Sequence, residues 1–304
     1  MSKAVIVGSG HVGSCLALLL ALEGVFDEVV LTDKRAARAR AEAADMMAAL
    51  PRLGARSLVR GGAVSDCADV QVAVITAAAP VKLGQTRNDM FVKNSAVVTD
   101  VVREIEATGF SGLYLMVTNP VDVLTYFLVD RLGIDASRVV GTGTLLDTMR
   151  LEDALHAAYG ADKQVRALAL GEHGEGLAVD WSRTLVEGEP VPADEREGLR
   201  RAAIEAAYTI MKGKGSTSYG IAAAALAVLK AWKTGAPEPL PLSVVLDGTY
   251  GISGIALAMS VRFDAAGRPV VVKHDLDDET RSTLTTAAES MKAFYAEAGS
   301  DLQL

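Results

Sequence analysis

Six residues near the start of the chain, Gly8-Ser9-Gly10-His11-Val12-Gly13, narrow its fold more than any other stretch. They follow a short apolar run, Ala4–Val7, and open a segment of helical period over residues 11–23. A strand that passes into a helix through GxGxxG uses the first glycine for the tight turn and the second for close approach of the backbone to a pyrophosphate. The third permits close packing of helix on strand. The helix N-terminus then offers amides and partial positive charge to phosphate groups. Asp33 closes a second apolar run, Glu28–Thr32, and lies 20 residues past Gly13, where a carboxylate can accept hydrogen bonds from an adenosine ribose. A glycine-rich turn with no ligand is the competing reading; strand, helix and acid in one unit favour a dinucleotide cradle. Asp33 would repel a 2′-phosphate, which favours NAD over NADP, although Lys34 and Arg35 follow at once.

Short apolar runs recur at Val70–Ile75, Leu113–Val117 and Arg138–Val140, with helical segments near 36–49, 88–107 and 120–131 between them. Strands this short and this continuously apolar suit a parallel sheet covered by helices on both faces. The alternation is that of a doubly wound α/β domain. Beyond it come a helix near 144–159 and apolar stretches at 165–170 and 177–186, then a polar break holding Pro190 and Pro192. Helices near 195–212 and 216–232, strand-like runs at 242–246 and 255–262, and a charged helix near 277–298 complete a mixed α+β half. The expected division is a cofactor domain over residues 1–141 and a substrate domain over 142–304, in keeping with 304 residues at roughly 150 per domain.

Charge excludes several partners. With 30 basic against 38 acidic residues the net is −8, which argues against nucleic acid or an anionic membrane and leaves room for a small anion in a local cationic pocket. The longest apolar run, Ile221 to Leu229, is half the ~18 residues needed to span a bilayer. The first strand-like run begins almost at the initiator Met, leaving no room for a signal peptide, so a cytoplasmic location is expected. Cys15 and Cys67 have neither metal-ligand spacing nor a disulfide framework, and no metal is expected. Lys212-Gly213-Lys214-Gly215-Ser216-Thr217 is no P-loop, because neither lysine is followed by Ser or Thr.

Hydride exchange between an alcohol and a nicotinamide needs a group that trades the hydroxyl proton near neutral pH, and the chain has four histidines. His11 lies in the glycine loop, His156 on a helix and His274 beside Asp275. His173 sits in Gly171-Glu172-His173-Gly174, directly after an apolar run, where flanking glycines suit a turn that projects one polar side chain; a plain surface turn is the alternative. On the helix near 144–159, Asp147 and Arg150 fall on the arc of Leu151 and Leu155. Either they form an ordinary i,i+3 ion pair, or they serve a ligand: the acid to orient an imidazole, the arginine to grip a carboxylate through two parallel hydrogen bonds. The stretch Ala77 to Phe91 is an exposed loop running into a helix start at Thr86-Arg87-Asn88-Asp89, placed to close over a nicotinamide. Arg87 there is either a solvated helix-start residue or a group that polarises a carbonyl. Asn119, after Val117-Thr118 and before Pro120, is either a turn former or a hydrogen-bond donor to a substrate oxygen or the nicotinamide end. Ala77 and Val117, at the ends of their strands, join His11 and Val12 as expected cofactor contacts.

Taken in order, Gly8–Gly13, Asp33, Thr86-Arg87, Thr118-Asn119-Pro120-Val121-Asp122, Leu146-Asp147-Thr148-Met149-Arg150 and Gly171-Glu172-His173-Gly174 resemble the L-lactate/L-malate dehydrogenase superfamily over essentially the whole chain. The resemblance implies a Rossmann domain, a substrate domain, NAD, and a homodimer or homotetramer. It makes His173 the proton donor and acceptor, Asp147 its partner, Arg150 the carboxylate ligand, Arg87 the group that polarises the carbonyl, and Asn119 a hydrogen-bonding neighbour. Six residues before the loop arginine, lactate enzymes usually carry Gln and malate enzymes Arg; this chain has Val81. An unpaired second carboxylate buried there would cost several kcal/mol. Thr217 is similar to the lactate side, and the stretches 141–148 and 213–220 look most like L-2-hydroxyisocaproate dehydrogenases. An apolar 2-oxo monocarboxylate is therefore expected, with lactate or malate dehydrogenase proper as alternative enzymes. A catalytically inert NAD-binding or redox-sensing protein is the alternative of another class. Glu152, two positions after Arg150, stands where enzymes activated by fructose 1,6-bisphosphate carry a basic residue, so no such activation is expected.

Overall fold

In the computed structural model, residues 1–80, 86–299 and 302 are described. The first half runs β1 (Lys3–Val7), α1 (His11–Leu22), β2 (Glu28–Thr32), α2 (Ala36–Ala49), β3 (Leu58–Gly61), β4 (Val72–Ile75), α3 (Arg87–Glu106), β5 (Leu113–Met116), α4 (Val121–Asp130) and β6 (Val139–Gly141). The second half runs α5 (Leu145–Tyr159), β7 (Val165–Arg166), β8 (Ala169–Gly171), β9 (Leu177–Val179), β10 (Leu185–Val186), β11 (Glu189–Pro190), α6 (Ala193–Lys214), α7 (Tyr219–Thr234), β12 (Leu240–Thr249), β13 (Ile252–Phe263), β14 (Pro269–Val271) and α8 (Asp278–Gly299).

Six parallel strands in the order β3-β2-β1-β4-β5-β6 form the doubly wound sheet expected from the sequence. The reason is visible in burial: Ala4, Val5 and Ile6 of β1 and Val72 to Ile75 of β4 are fully covered, as a strand sandwiched between helix layers must be. The chain order reverses between β1 and β4, so a crevice opens at their C-terminal ends, the usual ligand position in such sheets. Beyond β6 the sheet continues antiparallel through β12, β13, β8 and β9, joined where Ser243 of β12 faces Gly141 of β6. One apolar core spans both halves, and a smaller one gathers Leu151, Leu155, Trp181, Leu199 and Ala203 beneath α5 and α6.

Several expectations shift. The run from Val70 becomes a strand only at Val72, because Val70 closes a 3-10 turn, Val64–Asp69. β3 carries too few consecutive apolar residues to stand out; it is held by pairing with β2, Val29 opposite Val59. The stretch 177–186 is two strands, not one: β9 pairs with β8 while β10 turns away to pair with β7. The helix expected from 216 begins at Tyr219, since Gly215 takes a left-handed conformation (φ 78°) that ends α6. On α5 Thr148 is buried against β8.

Candidate active site

The glycine loop is built for close approach. Gly8 has φ +109°, and a Cβ on it would lie 2.7 Å from the Ala77 backbone nitrogen. A Cβ on Gly13 would lie 1.9 Å from the Gly8 carbonyl oxygen, so α1 can pass this close to β1 only with hydrogen there. Gly10 differs: an added Cβ meets nothing within 4 Å, and the protein itself makes no demand for glycine. No side chain caps the N-terminus of α1. Open space over Gly10 together with an uncapped helix start is what a pyrophosphate requires. Asp33 stands beside this loop. Its Oδ2 accepts from the Ser9 amide at 3.0 Å and the Ser9 hydroxyl at 2.9 Å, and its Oδ1 from the Arg35 amide at 2.9 Å. Burial pushes its pKa up, but those donors outweigh it and hold the carboxyl below its ordinary value. His11 is exposed at the helix start, with Nδ1 3.3 Å from Ser216 Oγ; Val12 is half-buried behind it. Ala77 and Val117 follow β4 and β5 next to the crevice, tied by the Thr118 hydroxyl, which donates to the Ala77 carbonyl at 2.8 Å. These residues fit a dinucleotide laid along the sheet edge.

Across the crevice, His173, Asp147 and Arg150 come together. Two threonines explain how: the Thr144 hydroxyl donates to the Ala169 carbonyl at 2.6 Å, and Thr148 Oγ1 accepts from the Ala169 amide at 3.1 Å. They fix β8 against the first turns of α5, with Asp147 between them. Gly171, at φ +87°, then turns the chain out of β8; a Cβ there would sit 2.7 Å from the Gly176 carbonyl. The turn delivers His173 Nδ1 to 2.6 Å from Asp147 Oδ2. The imidazole is 25% exposed while the carboxylate is 5% exposed, so the ring bridges buried acid and open cleft. The charge of Asp147 raises the His173 pKa against the opposing effect of burial. Arg150 Nη1 lies 3.5 Å from the other Asp147 oxygen, and both side chains are nearly covered.

Arg87 arrives from α3, whose start falls at the expected Thr86–Asp89 and forms a capping box: the Asp89 amide donates to Thr86 Oγ1 at 3.1 Å. Its guanidinium pairs with Glu172, the neighbour of His173, and stacks 4.9 Å from the Phe294 ring with Nη2 2.9 Å from Met291 Sδ. Asn119 is exposed at the end of β5; its carbonyl accepts from Asn94 Nδ2 at 2.7 Å and its Oδ1 from the Val121 amide at 3.2 Å. Thr217 is half-buried in the segment between α6 and α7. Val81 lies outside the described residues.

Sequence reasoning missed Glu172, Asn94, Met291 and Phe294 as neighbours of these groups, and gave Asp122 no role. The His173 amide donates to Asp122 Oδ2 at 2.9 Å, from the first turn of α4. Burial pushes the Asp122 carboxyl up to about 6, against the pull of the His173 amide and the Ser243 hydroxyl. A carboxylate inside the apolar run Val121-Asp122-Val123-Leu124 was the available signal. Among the described residues no group of His, Cys, Asp and Glu could hold a metal ion, and no helix is long and apolar enough to cross a membrane.

Comparison with known proteins agrees with this architecture. Residues 2–141 match the family model for the lactate/malate dehydrogenase NAD binding domain, and residues 144–300 match that for the lactate/malate dehydrogenase alpha/beta C-terminal domain. An L-lactate dehydrogenase of Staphylococcus saprophyticus is 33% identical over 301 residues, covering 96% of this chain and 95% of that protein. Among solved structures, the ligand-bound minor L-lactate dehydrogenase from Enterococcus mundtii superposes with a TM-score of 0.90 at 31% identity, covering 97% of this chain and 98% of that one. The malate dehydrogenase from Archaeoglobus fulgidus in complex with NADH gives 0.89 at 31% identity, covering 98% and 99%. The cofactor of the glycine-loop domain is NAD.

Proposed function

We propose, from the premise that the chain belongs to the lactate/malate dehydrogenase family, that it interconverts an apolar L-2-hydroxy acid and the matching 2-oxo acid. When bound, NADH supplies the hydride for reduction and NAD accepts it on the return. Residues 1–141 carry the cofactor, and the substrate is met from both halves, by Arg87 and Asn119 from the first and by His173, Arg150 and Thr217 from residues 142–304. The observation that carries the assignment is the imidazole of His173 held 2.6 Å from a buried carboxylate whose other oxygen faces Arg150 at 3.5 Å. With Nδ1 committed to Asp147, Nε2 is the nitrogen left to give its proton to the reacting oxygen and to take it back. Arg150 grips the substrate carboxylate through two parallel hydrogen bonds. Arg87, released from Glu172, polarises the ketone, and Asn119 donates to the same oxygen or to the nicotinamide carboxamide. Thr217 lines the side-chain end.

Val81 supports a monocarboxylate with an apolar side chain, since it offers nothing to pair with a second carboxylate. A second reading, reduction of pyruvate itself, is favoured by the curated relatives, which bear the name L-lactate dehydrogenase. Initial rates of NADH oxidation with pyruvate, 2-oxoisocaproate, phenylpyruvate and oxaloacetate in parallel separate these. The larger apolar acids should give the highest kcat/KM; pyruvate ahead of them selects the second reading, and oxaloacetate ahead of all refutes the role of Val81. We also infer a homodimer or homotetramer. Supporting it are the exposed apolar side chains Tyr208, Ile210 and Met211 on α6 and Tyr219 at the start of α7. Light scattering at micromolar concentration tests it, and a monomer mass refutes it.

A further inference from the structure

We propose that Asp122 is a positioning residue that holds the His173 turn through its backbone and, by its negative charge, keeps the imidazole protonated. The inference rests on His173 being the proton-exchanging group. Asp122 Oδ2 accepts the His173 amide at 2.9 Å, across 51 positions of sequence, and so ties the start of α4 to the turn after β8. The residue is 2% exposed. Three residues earlier, Asn119 stands at the crevice, so one helix start carries both the His173 anchor and a candidate substrate contact.

A neutral amide would accept the same hydrogen bond without the penalty of burying a charge. The carboxylate is thus unnecessary for satisfying the His173 N–H and is disfavoured by burial; what it adds is charge. The ionisable groups facing His173 are Asp147 and Arg150 on α5, Asp122 on α4 and Glu172 in its own turn, with Arg87 from α3 paired to Glu172. The negative charge of Asp122 raises the His173 pKa in concert with Asp147, while Arg150 opposes both. A residue that merely begins α4 favourably, as an acid in a first helical turn does, would leave the His173 titration unmoved.

The test compares wild type with Asp122→Asn and Asp122→Ala. Titration of the His173 imidazole by NMR in the resting protein, its signal assigned by loss in His173→Gln, needs no turnover. Asp122→Asn should lower that pKa by about one unit. In NADH-dependent reduction of a 2-oxo acid, the alkaline limb of kcat/KM should move to lower pH by the same amount. Asp122→Ala, which also frees the turn, should lose a further ~10-fold or more in kcat, as small misplacements do. NADH affinity, read by fluorescence, should stay constant in both, and Asn should restore most of the kcat that Ala loses. An unmoved His173 titration in Asp122→Asn overturns the proposal, even where melting temperature falls. If wild type reduces no 2-oxo acid, the activity reading fails, while the titration still decides on Asp122. If Asp122→Ala does not fold, the Asn variant carries the decision.

Discussion

Replacing Asp147 by Asn keeps the shape of the site and removes one charge. That charge lies 2.6 Å from the His173 ring nitrogen and is 5% exposed. Two unit charges 4 Å apart attract by about 4 kcal/mol at an effective dielectric of 20. Since an amide dipole replaces part of this, the net loss corresponds to a fall of about 1–3 pKa units in the imidazole. The sign follows from the chemistry. As the proposed acid of the reduction His173 must be protonated, so the rate should be full below its raised pKa and be lost as pH rises through it. In Asp147→Asn the alkaline limb of kcat/KM for 2-oxo acid reduction should begin about 1–3 units lower. At a pH above both limbs the rate should fall by ~10- to 1000-fold, and at pH 5.5 by much less. Steady-state rates from pH 5 to 9, with NADH binding followed separately, supply the measurement. A limb that coincides with wild type would falsify the claim that this carboxylate sets the protonation of His173. An equal loss at every pH would mean that Asp147 only orients the ring.

Arg150→Lys replaces a planar fork by a point charge and should raise KM for 2-oxo acids ~10-fold or more while leaving NADH affinity intact; an unchanged KM would place the carboxylate elsewhere. Gly10→Ala should weaken NADH binding at nearly unchanged melting temperature, because its Cβ enters empty space. Gly13→Ala should instead unfold or strongly destabilise the domain, its Cβ lying 1.9 Å from the Gly8 carbonyl; thermal denaturation with and without NADH distinguishes the two. Asp122, its carboxyl raised from 3.8 to about 6, binds a proton better folded than unfolded, so ionising it costs about 3 kcal/mol of stability above pH 6. Urea denaturation should find Asp122→Asn at least as stable as wild type at pH 8, with the difference gone at pH 3; a variant less stable at pH 8 contradicts this.

The sheet was legible because the strands of the parallel half other than β3 are buried on both faces and read as short apolar runs. The glycine loop was legible because steric demand at Gly8 and Gly13 restricts residue choice to glycine. Asp147 and Arg150 were legible as charges on an apolar arc of α5. What escaped was long-range: Arg87 meets Met291 and Phe294 across 204 positions and more, and nothing local in α8 marks those side chains as neighbours of a guanidinium. Asp122 escaped for a related reason. Its partner is a backbone amide, 51 positions away, which leaves no trace in side-chain pattern. β3 escaped because pairing with β2, not its own alternation, makes it a strand.

The charges of the site explain how an acidic chain comes to favour a small anion. Near His173 stand three carboxylates, Asp122, Asp147 and Glu172, and two guanidinium groups, Arg87 and Arg150. With the imidazole neutral this group is net negative by one; with the imidazole protonated it is neutral. A 2-oxo monocarboxylate entering beside Arg150 restores one negative charge and so favours the protonated imidazole further, the state that reduction uses. A dicarboxylate would add a second negative charge with no further guanidinium, among the described residues, to meet it. In the proposed mechanism Arg87 leaves Glu172 to reach the ketone, which frees one carboxylate to repel a second anionic group on the substrate. On the proposed role of Arg87, the ion pair that neutralises the cleft at rest would disfavour a second carboxylate once it opens. Glu172→Gln should accordingly raise kcat/KM for oxaloacetate relative to pyruvate by ~10-fold for one screened charge contact; a ratio equal to wild type would refute this role of Glu172.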